Sequence, residues 1–164
     1  MTSKSDFVIE NNKLIKYQGD IDAEVIIVPE EVEWIEEYAL SNLNAKEIYL
    51  PSKIQGIGYK ALANNKNLTT LSVGEISGYL ITNWIDNCPS LSHLIGDNYK
   101  DRTCDNGMTY ITQYGQKQLE WCPHTLEGKV IIPEDIKFIG ENAFAQCDKI
   151  KELVLSDKIK YIYD

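Results

Sequence analysis

One aliphatic position recurs in a unit of 22 or 23 residues, and this periodicity constrains the fold more than any other feature. In three copies the next residue is proline; in the others glycine or serine takes its place. So short a unit cannot bury its apolar residues alone, and stacked neighbours must complete the core. The chain is therefore predicted to be a solenoid. The recurring aliphatic residues are Val28, Leu50, Val73, Ile132 and Leu155.

Residues 130–155 contain one complete unit, and the other copies share its internal spacing. Aliphatic residues stand three and six positions after the proline, as Ile136 and Ile139, and the pair Ala143–Phe144 stands ten and eleven positions after it. Cys147 follows, and a strand-like run closes the unit. One short strand in each unit predicts a parallel sheet along the stack.

The order Ile-Pro, Ile-Gly, Ala-Phe and Cys within this unit resembles the BspA-type leucine-rich repeats of bacterial and protozoan surface proteins. Residues 130–155 match that pattern closely, 24–73 moderately and 74–96 loosely, because Gly74 replaces the proline and Trp84 the alanine. The resemblance implies an α/β solenoid. Its elements would be a right-handed superhelix, a parallel sheet of short strands on the concave face, and irregular or short helical segments on the convex side.

We interpret residues 1–164 as a single repeat domain with two β-hairpin additions. Residues 7–17 are predicted to be an N-terminal hairpin cap, because Asn11 and Asn12 separate two apolar runs and asparagine tolerates positive φ. Repeats are assigned to residues 24–96 and 129–164, the last one incomplete.

Residues 97–107 are turn-rich and lack aliphatic residues at the repeat positions, and residues 97–128 are interpreted as an insert. Within it, the runs 108–114 and 118–123 are joined by Gly115, Gln116 and Lys117, which predicts a second hairpin. We expect a bend or an offset of the solenoid at this insert.

Sixteen basic residues against 25 acidic ones give a formal net charge of −9. This charge opposes attraction to phosphate backbones and anionic lipid, so no nucleic acid partner is predicted. No apolar run approaches the length of a membrane span, which predicts no membrane insertion. The first residues do not resemble an export signal. Either the protein is made without export or its signal precedes this sequence; the resemblance implies a cell-surface or secreted location.

Motifs for nucleotide binding, metalloprotease activity and nucleophilic elbows are absent, and His93 and His124 are the only histidines. We predict no enzymatic activity and no cofactor. Cys104, Cys122 and His124 lie in the insert without the C-x-x-C spacing of a zinc site, so no metal site is predicted.

Cys88 and Cys147 hold the same position in two different repeats, which favours buried, reduced thiols. They are 59 residues apart and flank the insert. Their Cα atoms are expected to lie beyond the 7 Å that a disulfide allows.

Side chains along a strand alternate between the two faces of a sheet. If Ile48, Leu50, Leu71 and Val73 point into the core, their strand neighbours form the exposed concave face. This face is the candidate binding site, and its residues share no common chemistry. The candidate residues are Glu47, Tyr49, Thr70, Ser72, His93, Ile95, Glu152 and Val154.

Aromatic residues recur at a further repeat position, at Trp34, Phe138 and Tyr161, where the second repeat has Gly56. Such residues often only cover the edge of a core, yet exposed aromatic side chains are also candidates for binding.

The function predicted from these features is a non-enzymatic protein-binding or adhesion module. The resemblance implies attachment to host proteins or other cells, and the partner stays unidentified. The alternative is a structural spacer of a longer repeat protein that presents another domain.

The register predicts a buried core and an uncovered C-terminal end. Ile159, Ile162 and strand 150–155 should be partly exposed, because the last unit lacks its Ala-Phe pair. We expect either that the native protein continues beyond Asp164 or that two chains associate through this edge. The residues predicted to be buried are Ile35, Leu40, Leu62, Leu71, Ile139, Phe144 and Leu153.

Overall fold

A computed structural model describes residues 2–73, 84–96, 102–105, 108–122 and 125–163 of the chain. The described elements are a short 3-10 turn at Lys4–Asp6 and fifteen strands. The strands are β1 Phe7–Glu10, β2 Lys13–Tyr17, β3 Val25–Ile27, β4 Trp34–Ile35, β5 Glu47–Tyr49, β6 Gly56–Ile57, β7 Thr70–Ser72, β8 His93–Ile95, β9 Arg102–Asp105, β10 Met108–Gln113, β11 Gln116–Trp121, β12 Gly128–Ile131, β13 Ile136–Ile139, β14 Ile150–Val154 and β15 Tyr161–Ile162.

The first array of repeats is built from two rows of parallel strands. One row is the sheet β3-β5-β7-β8, and the other is β4-β6, which extends the N-terminal hairpin into the sheet β1-β2-β4-β6. Partners in the first row are one repeat apart, so Ile26 pairs with Ile48, and Ile48 with Leu71. The predicted parallel sheet of short strands is therefore confirmed.

The second array repeats this plan. Strands β12 and β14 form a parallel pair, and β13 and β15 continue a sheet that begins with the antiparallel strands β9, β10 and β11. Strand β11 pairs in parallel with β13, just as β2 pairs with β4. Each array thus begins on an antiparallel hairpin. Among the described strands, the rows of the two arrays belong to separate sheets.

The expectation of an α/β fold with short convex helices is not supported: the chain is a β-solenoid of about six turns, and its described residues contain almost no helix. The connecting segments are turns that contain left-handed residues. Two such residues occur in each complete connection, as in Tyr38 (φ 57°) with Asn42 (φ 59°), and Lys60 (φ 52°) with Asn64 (φ 60°). A left-handed residue ends a right-handed helix, so helix cannot propagate here.

The glycine of the Ile-Gly motif is needed because neighbouring turns approach closely there. A Cβ on Gly58 would lie 2.7 Å from the backbone nitrogen of Glu37 in the preceding repeat. Gly140 holds the same position in the second array, and a Cβ there would lie 3.0 Å from the carbonyl oxygen of Leu119. The glycine thus permits the repeat spacing of the β4–β6 row.

Buried aliphatic residues from both rows form the core, as the register predicts. Ile35, Leu40, Leu62, Leu71 and Ile139 are all buried. One polar side chain, Asn65, is buried with them. Its amide nitrogen donates to the carbonyl oxygens of Leu40 (2.8 Å) and Leu62 (3.0 Å), and its oxygen accepts from the backbone nitrogen of Leu43 (2.8 Å). Asn65 therefore links two successive turns.

Two residues predicted to be buried are not. Phe144 is only half-buried, and Leu153 is 39% exposed. Leu153 pairs with the buried Val130, so it faces the core, but strand β14 ends its row and leaves it uncovered. Ile162 is likewise exposed on the terminal strand β15. The expected partial exposure of the C-terminal end is confirmed.

Self-association through this end stays a prediction. The 164-residue chain is expected to form dimers or larger species, because Leu153, Leu155 and Ile162 present apolar surface beside the terminal strands β14 and β15. Light scattering measures this directly, and Ile162→Lys should shift the population toward monomer. A monodisperse parent chain at high concentration would contradict the prediction.

The turns of the two arrays touch at the residues that precede Cys88 and Cys147. The backbone nitrogen of Asn87 donates to Gln146 Oε1, and Gln146 Nε2 donates to Asp86 Oδ1, both at 2.8 Å. Lys60 forms an ion pair with Asp86 (2.7 Å), and this hydrogen bond lowers the pKa of the carboxyl group. Polar contacts thus join the arrays across neighbouring turns.

Among the described cysteines, Cys88, Cys122 and Cys147 are unbridged. The Cys88 thiol donates to the carbonyl oxygen of Leu62 (3.1 Å), an acceptor that Asn65 also uses. Burial raises the pKa of Cys88 and of Cys147 to about 11, so both remain protonated thiols at neutral pH. The prediction of buried thiols is confirmed for Cys88, whereas Cys147 is only partly buried.

Both predicted hairpins are present. Strands β1 and β2 meet at Asn11 and Asn12, which have φ of 49° and 61°, as predicted. The second hairpin turns at Tyr114 and Gly115. The predicted connection through Gln116 and Lys117 is wrong, because both residues belong to β11.

Candidate binding surface

The solvent-facing side of the sheet β3-β5-β7-β8 is here called the ladder face. Its side chains lie in two rows across the strands, since equivalent residues of successive repeats pair directly. The rows are Val25, Glu47, Thr70 and His93, and Ile27, Tyr49, Ser72 and Ile95. The six candidate residues predicted on this sheet are therefore together on one face. Neighbouring strands place them about 4.8 Å apart.

Apolar side chains lie at the two ends of one row. Ile27 is 52% exposed and Ile95 is 53% exposed, whereas Tyr49 and Ser72 between them are half-buried. Val25 and Ile27 are not among the binding residues predicted from the sequence. The alternation that identified Tyr49 applies equally to β3, and would have found both.

Polar groups on the ladder face are already oriented. The Tyr49 hydroxyl donates to Glu47 Oε2 (2.7 Å), and this hydrogen bond raises the pKa of Tyr49. His93 Nδ1 lies 3.0 Å from Ser92 Oγ. These contacts orient polar side chains on the ladder face and the hydroxyl of Ser92 beside it.

The remaining two candidates, Glu152 and Val154, lie on β14 of the second array. Glu152 forms an ion pair with Lys129 (2.7 Å), and Val154 pairs with Ile131, an exposed residue of β12. They belong to the sheet β12-β14 and not to the ladder face. The eight predicted residues therefore lie on two different sheets.

Within the described ranges, no group of three or more potential ligands could hold a metal ion. The side chain of Cys104 and the whole of His124 lie outside the described residues. The prediction that these two residues and Cys122 form no metal site is therefore not tested. Of the histidines, the described one, His93, is exposed.

A family model of the BspA type leucine rich repeat region, with six copies, matches residues 16–114 and 112–164. The chain belongs to the BspA-type leucine-rich repeat family. These ranges cover both arrays, including the parts in which the repeat pattern is loose in sequence. The match therefore extends further along the chain than the resemblance read from its motifs.

Comparison with solved structures supports the repeat fold through one of them, from Eubacterium ventriosum. A leucine-rich repeat protein from Eubacterium ventriosum superposes with a TM-score of 0.57 at 14% identity, over 85% of this BspA-type chain and 43% of that one. A leucine rich cell surface protein from Faecalibacterium prausnitzii gives a TM-score of 0.36 at 13% identity, over 100% and 76% of the two chains.

The chain thus spans 43% of the Eubacterium protein's length. No curated protein matches the chain. In the described parts of this BspA-type protein, no helix is long and apolar enough to cross a membrane.

Proposed function

We propose that this chain is a non-enzymatic protein-binding module of the adhesion type, and that the ladder face is its contact surface. The supporting observation is that Ile27 and Ile95, on the two edge strands of this sheet, are both exposed, and that hydrogen bonds hold the strands in register. Exposed aliphatic side chains that become covered in an interface supply buried apolar area, which stabilises binding. The fold supplies the rigid surface.

The side chains of the ladder face indicate which kind of partner surface would be complementary to it. Two apolar ends flank a central region in which Tyr49 and Ser72 offer hydroxyl groups, and Glu47 and His93 lie in the adjacent row. A protein with a flat surface carrying apolar groups and hydrogen-bond donors is complementary to this pattern. As part of the same proposal, the module acts at the cell surface, which rests on its family membership and can be checked by antibody labelling of intact cells.

The test is binding of the immobilised 164-residue chain to a panel of purified extracellular matrix proteins, measured by biolayer interferometry. The variant Ile27→Lys/Ile95→Lys should weaken any specific binding by at least about tenfold. Ile131→Lys is the matched control, because Ile131 is also an exposed isoleucine on a parallel strand, but on the β12-β14 sheet.

Loss of binding in the control, with full binding in the double variant, would move the contact surface to the second array and overturn the proposal. Binding to no protein of the panel would favour the spacer role. Both variants change exposed side chains, so their thermal unfolding should match that of the parent chain.

A further inference from the structure

The exposed indole of Trp34 lies on the β4-β6 row, away from the ladder face, and the proposed function does not use it. Trp34 is 46% exposed, whereas Trp84 and Trp121 are buried. Its six-membered ring lies over Gly56, the paired residue of the next repeat: Cε3, Cζ3 and Cη2 are the atoms nearest to where a Cβ of Gly56 would stand. The glycine therefore allows the ring to rest on the backbone.

The second array shows what happens without this glycine. There the equivalent residues are Phe138 and Tyr161, whose rings stack on each other with centroids 6.1 Å apart and planes 2° apart. In the first array Gly56 has no side chain, so the indole of Trp34 packs directly against the backbone. Trp34 and Gly56 together are here called the Trp34 platform.

A row of polar side chains lies one residue before the platform in each turn: Glu33 precedes Trp34, and Gln55 precedes Gly56. Glu33 accepts hydrogen bonds from the amide of Gln55 (2.9 Å) and, more weakly, from the amide of Asn12 (3.5 Å). These three residues form a row across neighbouring turns, joined by backbone hydrogen bonds from Glu33 to Asn12 and from Gln55 to Glu33. On the other side of Trp34, Glu36 pairs with Lys13 (3.5 Å).

We propose that the Trp34 platform and the row Asn12–Glu33–Gln55 bind a neutral saccharide. A sugar ring has an apolar face of C–H groups that stacks on an aromatic ring, and adjacent hydroxyl groups that pair with amide and carboxylate groups. The platform supplies the first surface, and the row supplies the second. The Glu33 carboxylate keeps unused acceptor positions, because each oxygen has two lone pairs and, among the described residues, accepts one hydrogen bond.

The negative charge of this region favours a neutral sugar over an anionic one. Glu33, Glu36 and the net charge of −9 oppose uronic acids, sialic acids and sulfated glycans. A cationic peptide is the competing ligand, since it could also stack on indole. Lys13 pairs in register with Trp34 and forms an ion pair with Glu36, so it offsets part of the acidic charge near the ring.

Intrinsic fluorescence tests the proposal, because Trp34 is the exposed tryptophan and its emission should shift when its ring is covered. The probes are cellohexaose, maltohexaose and xylohexaose, each titrated to about 10 mM, with calorimetry as a second readout. At least one of these sugars is expected to shift the emission to shorter wavelength. Hexalysine and hexagalacturonate serve as the charged comparisons.

Trp34→Ala should weaken sugar binding by at least about tenfold. Gly56→Ala retains the indole but displaces the ring, because the added Cβ would overlap it, and should also weaken binding. Tyr114→Ala is the matched control: it removes an exposed aromatic side chain at the tip of the second hairpin and should bind as the parent does. Thermal unfolding of each variant confirms that it folds.

Three outcomes would overturn the proposal: no neutral saccharide shifts the emission or gives heat, binding persists undiminished in Trp34→Ala, or hexalysine binds while the saccharides do not. The ladder-face variant Ile27→Lys/Ile95→Lys should retain sugar binding, which separates this site from the proposed protein contact.

Discussion

Asn65→Ala is expected to lower the free energy of unfolding by about 3 to 5 kcal/mol. The side chain is buried, and its removal leaves the backbone nitrogen of Leu43 and the carbonyl oxygen of Leu40 without their partner. Each unpaired buried group costs about 1 to 3 kcal/mol, and the lost volume adds to this. Urea denaturation followed by circular dichroism measures the difference.

Asn65→Cys is the matched control, because Cys88 holds this position in the following repeat and its thiol donates to a carbonyl oxygen of the preceding turn. The cysteine variant should lose less stability than the alanine variant, since it restores one donor and part of the volume. Equal stabilities of the parent and the alanine variant would show that Asn65 contributes nothing to joining the turns.

Gly58→Ala is the second large change, with an expected cost of about 2 to 4 kcal/mol. The added methyl group would meet backbone atoms of the preceding repeat, at 2.7 Å from the nitrogen of Glu37 and 2.9 Å from the carbonyl carbon of Glu36. Backbone cannot move aside as a side chain can, so the spacing between β4 and β6 must increase. A fall in the midpoint of thermal unfolding would register this.

Gly56→Ala provides the comparison two residues earlier. There the atoms nearest to the methyl group would be those of the Trp34 ring, an exposed side chain that can rotate away. Its cost to stability should be clearly smaller than that of Gly58→Ala. If the two variants were equally stable, close backbone packing at the Ile-Gly motif would not be what requires the glycine.

Periodicity was sufficient to predict the sheet register, because side-chain alternation and a repeat of 22 or 23 residues together determine which residues are neighbours. Glu47, Thr70 and His93 fall in one row for this reason. The same reasoning placed Ile35, Leu62 and Ile139 in the core. It failed for Leu153, where burial depends on whether another turn follows, and not on the residue itself.

The connections between strands could not be predicted in the same way. Asparagine signals a left-handed residue, but Tyr38 and Lys60 adopt positive φ without any such signal. Their conformation is imposed by the stacking of neighbouring turns, which also creates the β4-β6 row. The contact of Gln146 with Asp86 and Asn87 joins residues about 60 positions apart, and no local pattern specifies it.

Side-chain alternation predicted which residues of the candidate surface face outward, but not that they belong to two different sheets. Glu152 and Val154 satisfy the same rule as Tyr49, yet they belong to a different sheet because the array restarts at the second hairpin. The Trp34 platform depends on a single glycine beneath the ring. The sequence showed Gly56 at the aromatic position, but only the structure shows the indole lying over it.

The two hairpins have a consequence for the rate at which the chain folds. Each is closed by a two-residue turn, at Asn11–Asn12 and at Tyr114–Gly115, whereas every parallel pair joins residues about 20 positions apart. Short loops close faster and at lower entropic cost than long ones. We therefore expect the two hairpins to form first. Strands β4 and β13 can then pair with the already ordered strands β2 and β11.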